Sequence, residues 1–171
     1  ENALVNRLVD EGQFSDLRRL RAAMLPPGQR SSLVYDGEFA GLPGPASLIW
    51  QPLRLSGGAA VVGTDATTHP GTLLLQHDLF SSGDWMARQM LLLTPGHYRL
   101  SLAAQGLDDQ GSRGFKVGID CRGAQNLFTL PLETSGEQWV RSTIVFTIPP
   151  EGCPAQWIAF SPVTGDRVQS V

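Results

Sequence analysis

The four tryptophans, Trp50, Trp85, Trp139 and Trp157, are the residues of this chain best suited to surface chemistry. An indole is a flat, polarisable platform on which the apolar C–H face of a sugar ring can stack. Trp85 lies in the polar loop Gly83-Asp84-Trp85 and is expected to be exposed. Trp157 alternates with Ala155, Ala159 and Ser161, while Ile158 and Phe160 take the opposite face. It is therefore expected to stand among small residues on an open sheet face. Trp50 ends an apolar run and Trp139 opens a strong strand, so both are expected in core or corner roles. The same alternation test supplies polar partners. In Phe115 to Cys121, the residues Phe115, Val117 and Ile119 face in, and Lys116, Gly118 and Asp120 face out. In the strand through Tyr98, Arg99, Ser101 and Gln105 leave the apolar row. On one concave sheet, Arg99, Gln105, Lys116, Asp120 and Trp157 would line a single groove.

Catalytic chemistry is poorly represented. His69, His77 and His97 are scattered, with no histidine partner at helix or strand spacing. No zinc, thiol-redox, nucleophile-elbow or phosphate-loop motif occurs. Asp108-Asp109 is a carboxylate pair, but it sits in a glycine-flanked polar loop and reads as solvated turn residues. His77 alternates with Leu73 and Leu75 and reads as structural. No enzyme is expected.

These side chains need a scaffold, and its punctuation is that of an all-β protein. From Ser31 onward, glycines and prolines separate short apolar runs. Strands are expected at Leu33 to Phe39, Ile49 to Leu55, Ala59 to Gly63, Thr72 to Phe80, Arg88 to Leu93, His97 to Gln105, Phe115 to Cys121, Leu127 to Leu132, Trp139 to Ile148 and Gln156 to Pro162. Met90 to Leu93 is apolar on both faces and should lie deep in a sheet. Thr94-Pro95-Gly96 predicts a tight turn that joins it to the next strand as a hairpin. Further turns are expected at Ser56-Gly57-Gly58, Ser81 to Asp84, Asp108 to Gly111 and Thr134 to Glu137.

Residues 2 to 25 differ from the rest. Leu4, Leu8, Phe14, Leu17, Leu20 and Met24 recur at helical spacing, broken at Gly12-Gln13. A second helix is expected over Asp16 to Met24 with Ser15 as its N-cap. Such a pair must cover something with its apolar face. Arg18, Arg19 and Arg21 read as a solvated helix face.

The totals agree. The chain has 171 residues, enough for one domain with a real core. Its formal net charge is −3, which argues against nucleic acid. No run approaches the roughly 20 apolar residues that cross a bilayer. The chain begins at Glu1 and shows no signal peptide, so a processed form or an excised fragment is expected. Cys121 and Cys153 each follow an apolar run and should meet at one end of the sandwich. A disulfide between them is expected, and with it an oxidising compartment.

Three blocks carry a resemblance. "YDGEFAGLPGPASLIWQP" (Tyr35 to Pro52) resembles the opening segment of jelly-roll carbohydrate-binding modules. "ARQMLLLTPGHYRLSLAAQ" (Ala87 to Gln105) is similar to their central segment, and "EQWVRSTIVFTIPPEGCPAQWIAFSP" (Glu137 to Pro162) to their closing one. The resemblance implies a two-sheet jelly roll that binds glycans without catalysis. Similar domains follow tetratricopeptide-type repeats in bacterial envelope and exopolysaccharide proteins, and "LVDEGQFSDLRRLRAAM" resembles the tail of such a repeat. Family members often hold a structural calcium. Asp36 and Glu38 match its opening acids loosely, but Arg167 replaces a closing carboxylate, which argues against calcium.

The sequence thus predicts a helical arm at residues 1–30 and an antiparallel β-sandwich of jelly-roll type at residues 31–171. The expected function is extracytoplasmic binding of a polysaccharide or oligosaccharide, in a bacterial setting and without a cofactor. Trp85 and Trp157 would stack on sugar rings; Arg99, Gln105, Lys116 and Asp120 would bond hydroxyls or acidic substituents. The alternative is a protein-interaction scaffold of an envelope assembly, with the helical arm as its interface. An exposed stripe of Leu4, Leu8 and Leu17 would favour that alternative.

Overall fold

The computed structural model describes residues 2–52, 54–55, 58–62, 71–77, 85–106, 114–122, 126–136 and 138–163. The expected turns at 56–58, 81–84 and 108–111, the Asp108-Asp109 pair, His69, the side chain of His77 and the closing segment with Arg167 lie wholly or partly outside them.

Two helices open the chain, α1 (Asn2–Asp10) and α2 (Phe14–Met24). Gly12, at φ 70, makes the break between them, in a left-handed conformation that glycine adopts without strain. The second helix starts two residues earlier than expected. Gln13 stands at its N-cap without a side-chain cap bond, and Ser15 lies inside the helix. Leu25 ends it in an extended conformation ahead of Pro26.

The expected strand at Leu33 to Phe39 does not form; this segment is a series of turns. Asp36 and Phe39 both adopt φ 49. The buried Asp36 carboxylate accepts hydrogen bonds from the backbone N–H groups of Ala40, Gly41 and Leu42 at 2.8, 2.9 and 3.1 Å. An aspartate that bonds its own backbone favours a turn over a strand.

Ten strands follow among the described residues: β1 (Gln51–Pro52), β2 (Arg54–Leu55), β3 (Gly58–Val62), β4 (Leu73–His77), β5 (Ala87–Leu91), β6 (Gly96–Ala104), β7 (Phe115–Cys121), β8 (Asn126–Pro131), β9 (Val140–Ile148) and β10 (Gln156–Pro162). All pair antiparallel. Among the described residues they form a five-stranded sheet β1-β5-β10-β7-β8, a three-stranded sheet β2-β3-β4 and a two-stranded ribbon β6-β9. The arrangement is sandwich-like. Ile158, Phe160, Val117, Ile119 and Phe128 of the large sheet meet Phe146, Ile148, Tyr98 and Leu100 of the ribbon in one core. Phe128 and Phe146 touch across the layers at 5.1 Å between ring centres.

Thr94-Pro95-Gly96 is not a hairpin turn. β5 pairs with β1 and β10, whereas β6 pairs with β9, so the chain crosses there from one layer to the other. Met90 to Leu93 is apolar on both faces because both faces are covered. Leu91 and Leu93 join the sandwich core, and Met90 and Leu92 lie under the helical arm.

Two buried glutamines tie irregular chain to the sheet. Gln89 accepts from Tyr35 N–H at 3.0 Å and donates to Tyr35 C=O at 2.8 Å. Gln156 accepts from Leu93 N–H at 3.0 Å and donates to Cys153 C=O at 2.8 Å. Each serves backbone groups that no strand partner reaches, which a buried amide must do to offset its own desolvation. Cys121 and Cys153 form the expected disulfide, with Cα atoms 5.0 Å apart. No helix among the described residues is long and apolar enough to cross a membrane.

Candidate functional site

The outward face of the five-stranded sheet divides into two parts. At one end, Met90, Leu92 and Ala155 pack against Val5, Leu8, Phe14 and Leu17 of the arm. Leu8 and Leu17 are therefore buried, and of the three residues whose exposure would have favoured an interaction scaffold Leu4 alone is exposed, at 51 %. The arm is also held by arginines. Arg18 donates to Leu92 C=O at 2.9 Å, Arg21 donates to Ser32 C=O at 2.7 Å, and Arg122 donates to Val9 C=O. Only Arg19 keeps the solvated role expected of this trio, 3.7 Å from an exposed Asp16. Arg18 and Arg21 instead satisfy carbonyls, and burial lowers the pKa of Arg21 below its ordinary value.

The other part of the face lies beyond the arm's apolar contacts: Arg88, Ala159, Gly118 and Lys116 are half-buried, and Asn126 and Thr129 are exposed. Register places Arg88 beside Ala159, Ala159 beside Gly118, and Gly118 beside Thr129 on four adjacent strands. With strands about 4.8 Å apart, this row is about 14 Å wide. Its floor is the small pair Ala159 and Gly118. A Cβ on Gly118 would lie 3.3 Å from Phe128 C=O, so even a methyl group crowds that strand.

One side of the row is a stack. The Arg88 guanidinium carbon lies 4.0 Å from the centre of the Trp85 ring and 4.3 Å from that of Trp157. Its Nε donates to Gln51 Oε1 at 3.1 Å, which fixes the plane of the fork. Burial lowers the pKa of Arg88, though an arginine keeps its charge at neutral pH. Each indole thus gives ring surface to a cation, and Trp157 also packs against the arm. Trp157 is more enclosed than an open platform. Trp85 is half-buried as well.

The opposite side is polar. Asp120 stands opposite Trp157 across β7 and β10, and Lys116 opposite Ser161. Asn126 donates to Asp120 Oδ1 at 2.8 Å and to Thr129 Oγ1 at 3.2 Å. The second carboxylate oxygen of Asp120 has no hydrogen-bond partner among the described residues.

The structure therefore brings together Trp85, Trp157, Lys116 and Asp120, and adds Arg88 and Asn126. It separates Arg99 and Gln105 from them. Arg99 lies on β6, in the other layer, on a face turned away from the first, and Gln105 follows the end of that strand. Alternation gives the side of a strand and not its sheet, so one groove for all of these residues was an error of layer. Trp50 is core, with Nε1 donating to Asp36 C=O at 3.1 Å. Trp139 is not: it is 55 % exposed, just before β9. It is in step with the outward residues Arg141 and Thr143, and that parity was readable in the sequence.

Among the described residues, no cluster of histidine, cysteine or acidic side chains could hold a metal. Asp36, a loose match to the opening acid of the calcium site in the modules the chain resembles, has both oxygens engaged by backbone N–H groups. A cleft of about 390 Å³ opens away from the face, between Leu93, Pro95, Pro149, Pro150 and Pro154. Its charged side chain, Arg18, already bonds Leu92 C=O. A comparison with models of known protein families finds no match, and neither does one with curated proteins.

Proposed function

We propose that the chain is a non-catalytic carbohydrate-binding module, a jelly roll whose five-stranded sheet receives a polysaccharide or oligosaccharide on its open face. The observation that carries this reading is the Trp85–Arg88–Trp157 stack beside the Ala159–Gly118 floor. A wall of aromatic and guanidinium surface suits the apolar face of a sugar, and a floor without bulk lets a chain lie close to the sheet. Lys116, Asp120 and Asn126 supply donors and acceptors for hydroxyls along the far edge. Trp85 offers the stacking surface; Trp157 backs it through Arg88.

The disulfide supports an oxidising, extracytoplasmic setting for this module. Burial of Leu8 and Leu17 counts against the alternative, a scaffold that docks partners through the arm. The test is tryptophan fluorescence during titration with a panel of bacterial and plant polysaccharides. Saturable quenching is expected, lost in Trp85→Ala and weakened in Asp120→Ala. A folded protein that responds to no glycan would overturn the reading.

A further inference from the structure

The outward face of the β6-β9 ribbon belongs to no part of the site above. Its register aligns His97 with Thr147, Arg99 with Val145, Ser101 with Thr143 and Ala103 with Arg141. Cross-strand bonds hold two of these pairs in place, His97 Nδ1 with Thr147 Oγ1 at 2.9 Å and Ser101 Oγ with Thr143 Oγ1 at 3.0 Å. Trp139 continues the outward row of β9 beyond Arg141. Val145 is 65 % exposed and Trp139 55 %, an uncommon amount of apolar surface for a face that meets only water.

Charge singles this face out. The protein carries a net −3, yet no outward position of β6 or β9 is acidic, and two are arginines. Neither Arg99 nor Arg141 has a hydrogen bond or ion pair among the described residues. From the register, the two lie four residues apart along the ribbon, which is about 14 Å at strand rise. A monosaccharide cannot reach both; an extended chain can. The hydroxyls of Ser101 and Thr143 lie between them.

We propose that this ribbon face is a second binding site, for an acidic polysaccharide of uronate type. Trp139 stacks on a sugar ring at one end, and Arg141 and Arg99 take carboxylates on units farther along. Guanidinium groups suit this work because their planar fork meets a carboxylate with two parallel bonds. The site stands independently of the one on the five-stranded sheet.

The probe is sodium alginate, with neutral dextran as control, measured by calorimetric titration of the whole chain at low and high salt. Alginate is expected to bind, and to bind several-fold more weakly as salt rises, because exposed charges are screened. Arg99→Gln with Arg141→Gln should weaken alginate about tenfold or more, and Trp139→Ala by a similar factor. All three side chains are exposed, so the variants should keep the unfolding midpoint of the parent. Leu4→Ala, at an exposed side chain of the arm that belongs to neither site, should leave alginate binding unchanged. No alginate binding would overturn the proposal, as would binding that survives both ribbon variants. Equal affinity for double-stranded DNA with no loss in Trp139→Ala would also overturn it, since that is the behaviour of a general anion surface.

Discussion

The outward face of the five-stranded sheet carries two kinds of surface on the same strands. Along β5 and the residue after it the outward positions run Leu92, Met90, Arg88; along β10 and the residue before it they run Ala155, Trp157, Ala159, Ser161. The first of each series lie under the helical arm, and the last face outward. The change takes one alternate position, at Met90 to Arg88 and at Trp157 to Ala159. The covered end behaves as core: it is apolar, closely packed and tied by arginine–carbonyl bonds. The open end has a small-residue floor and polar edges, which contribute little to folding. Residues with the same backbone geometry thus differ in what they can do, according to whether a second layer lies above them.

The largest expected effect is at the covered end, beside which the disulfide lies. It closes a loop with a sequence separation of 32. The pair Cys121→Ser with Cys153→Ser should lower stability by about 3–4 kcal/mol, read from urea unfolding. Arg122, next to Cys121, holds Val9 of the arm, so loosening that end should also expose arm amides to hydrogen exchange first. Equal protection of arm and open-end amides after reduction would break the contrast between the two ends.

Next is Leu17→Ala. Leu17 is fully buried between the arm and the sheet. Its truncation should destabilise by about 3 kcal/mol, within the range for a buried leucine that leaves a cavity. If the cost is under about 0.5 kcal/mol, as for a surface site, the arm does not share the core.

The contrast between the ends was partly legible in the sequence. Alternation located β6, β7, β9 and β10 to within a residue or two, because in each of them apolar residues recur at alternate positions on the face that packs in the core. It also marked Met90 to Leu93 as doubly buried. It does not say which sheet a strand joins, so a sheet-to-sheet crossing at Thr94 to Gly96 reads as a hairpin, and Arg99 reads as a neighbour of Lys116. Leu33 to Phe39 has the composition of a strand, but Asp36 turns the chain by binding three amides. The Arg88 stack was hidden for a different reason. It joins a loop tryptophan to two strands distant in sequence, and nothing local to Arg88 announces its rings.

Arg88 stands at the border, and its truncation tests how firmly the open end is built. Arg88→Ala removes two cation–π contacts and the bond to Gln51. A loss of about 1–2 kcal/mol is expected, since partly buried contacts of this kind are worth up to about that much. Arg88→Lys should recover little, because an ammonium group cannot lie flat between two rings. Full recovery by lysine would mean that charge alone, not stacking, holds Trp85 and Trp157.

The smallest effect on stability is predicted at Lys116, the chain's single lysine. It lies at the far edge of the open face, opposite Ser161, and forms no ion pair among the described residues. Lys116→Ala should change unfolding free energy by less than about 0.5 kcal/mol, as surface substitutions do. Its effect should fall on binding instead. A glycan that quenches the tryptophans should bind several-fold more weakly to Lys116→Ala with the unfolding midpoint unchanged. A variant that lost stability and kept its affinity would reverse the assignment: the open end would then be part of the scaffold, and the surface left free for a ligand would have to be sought on the ribbon.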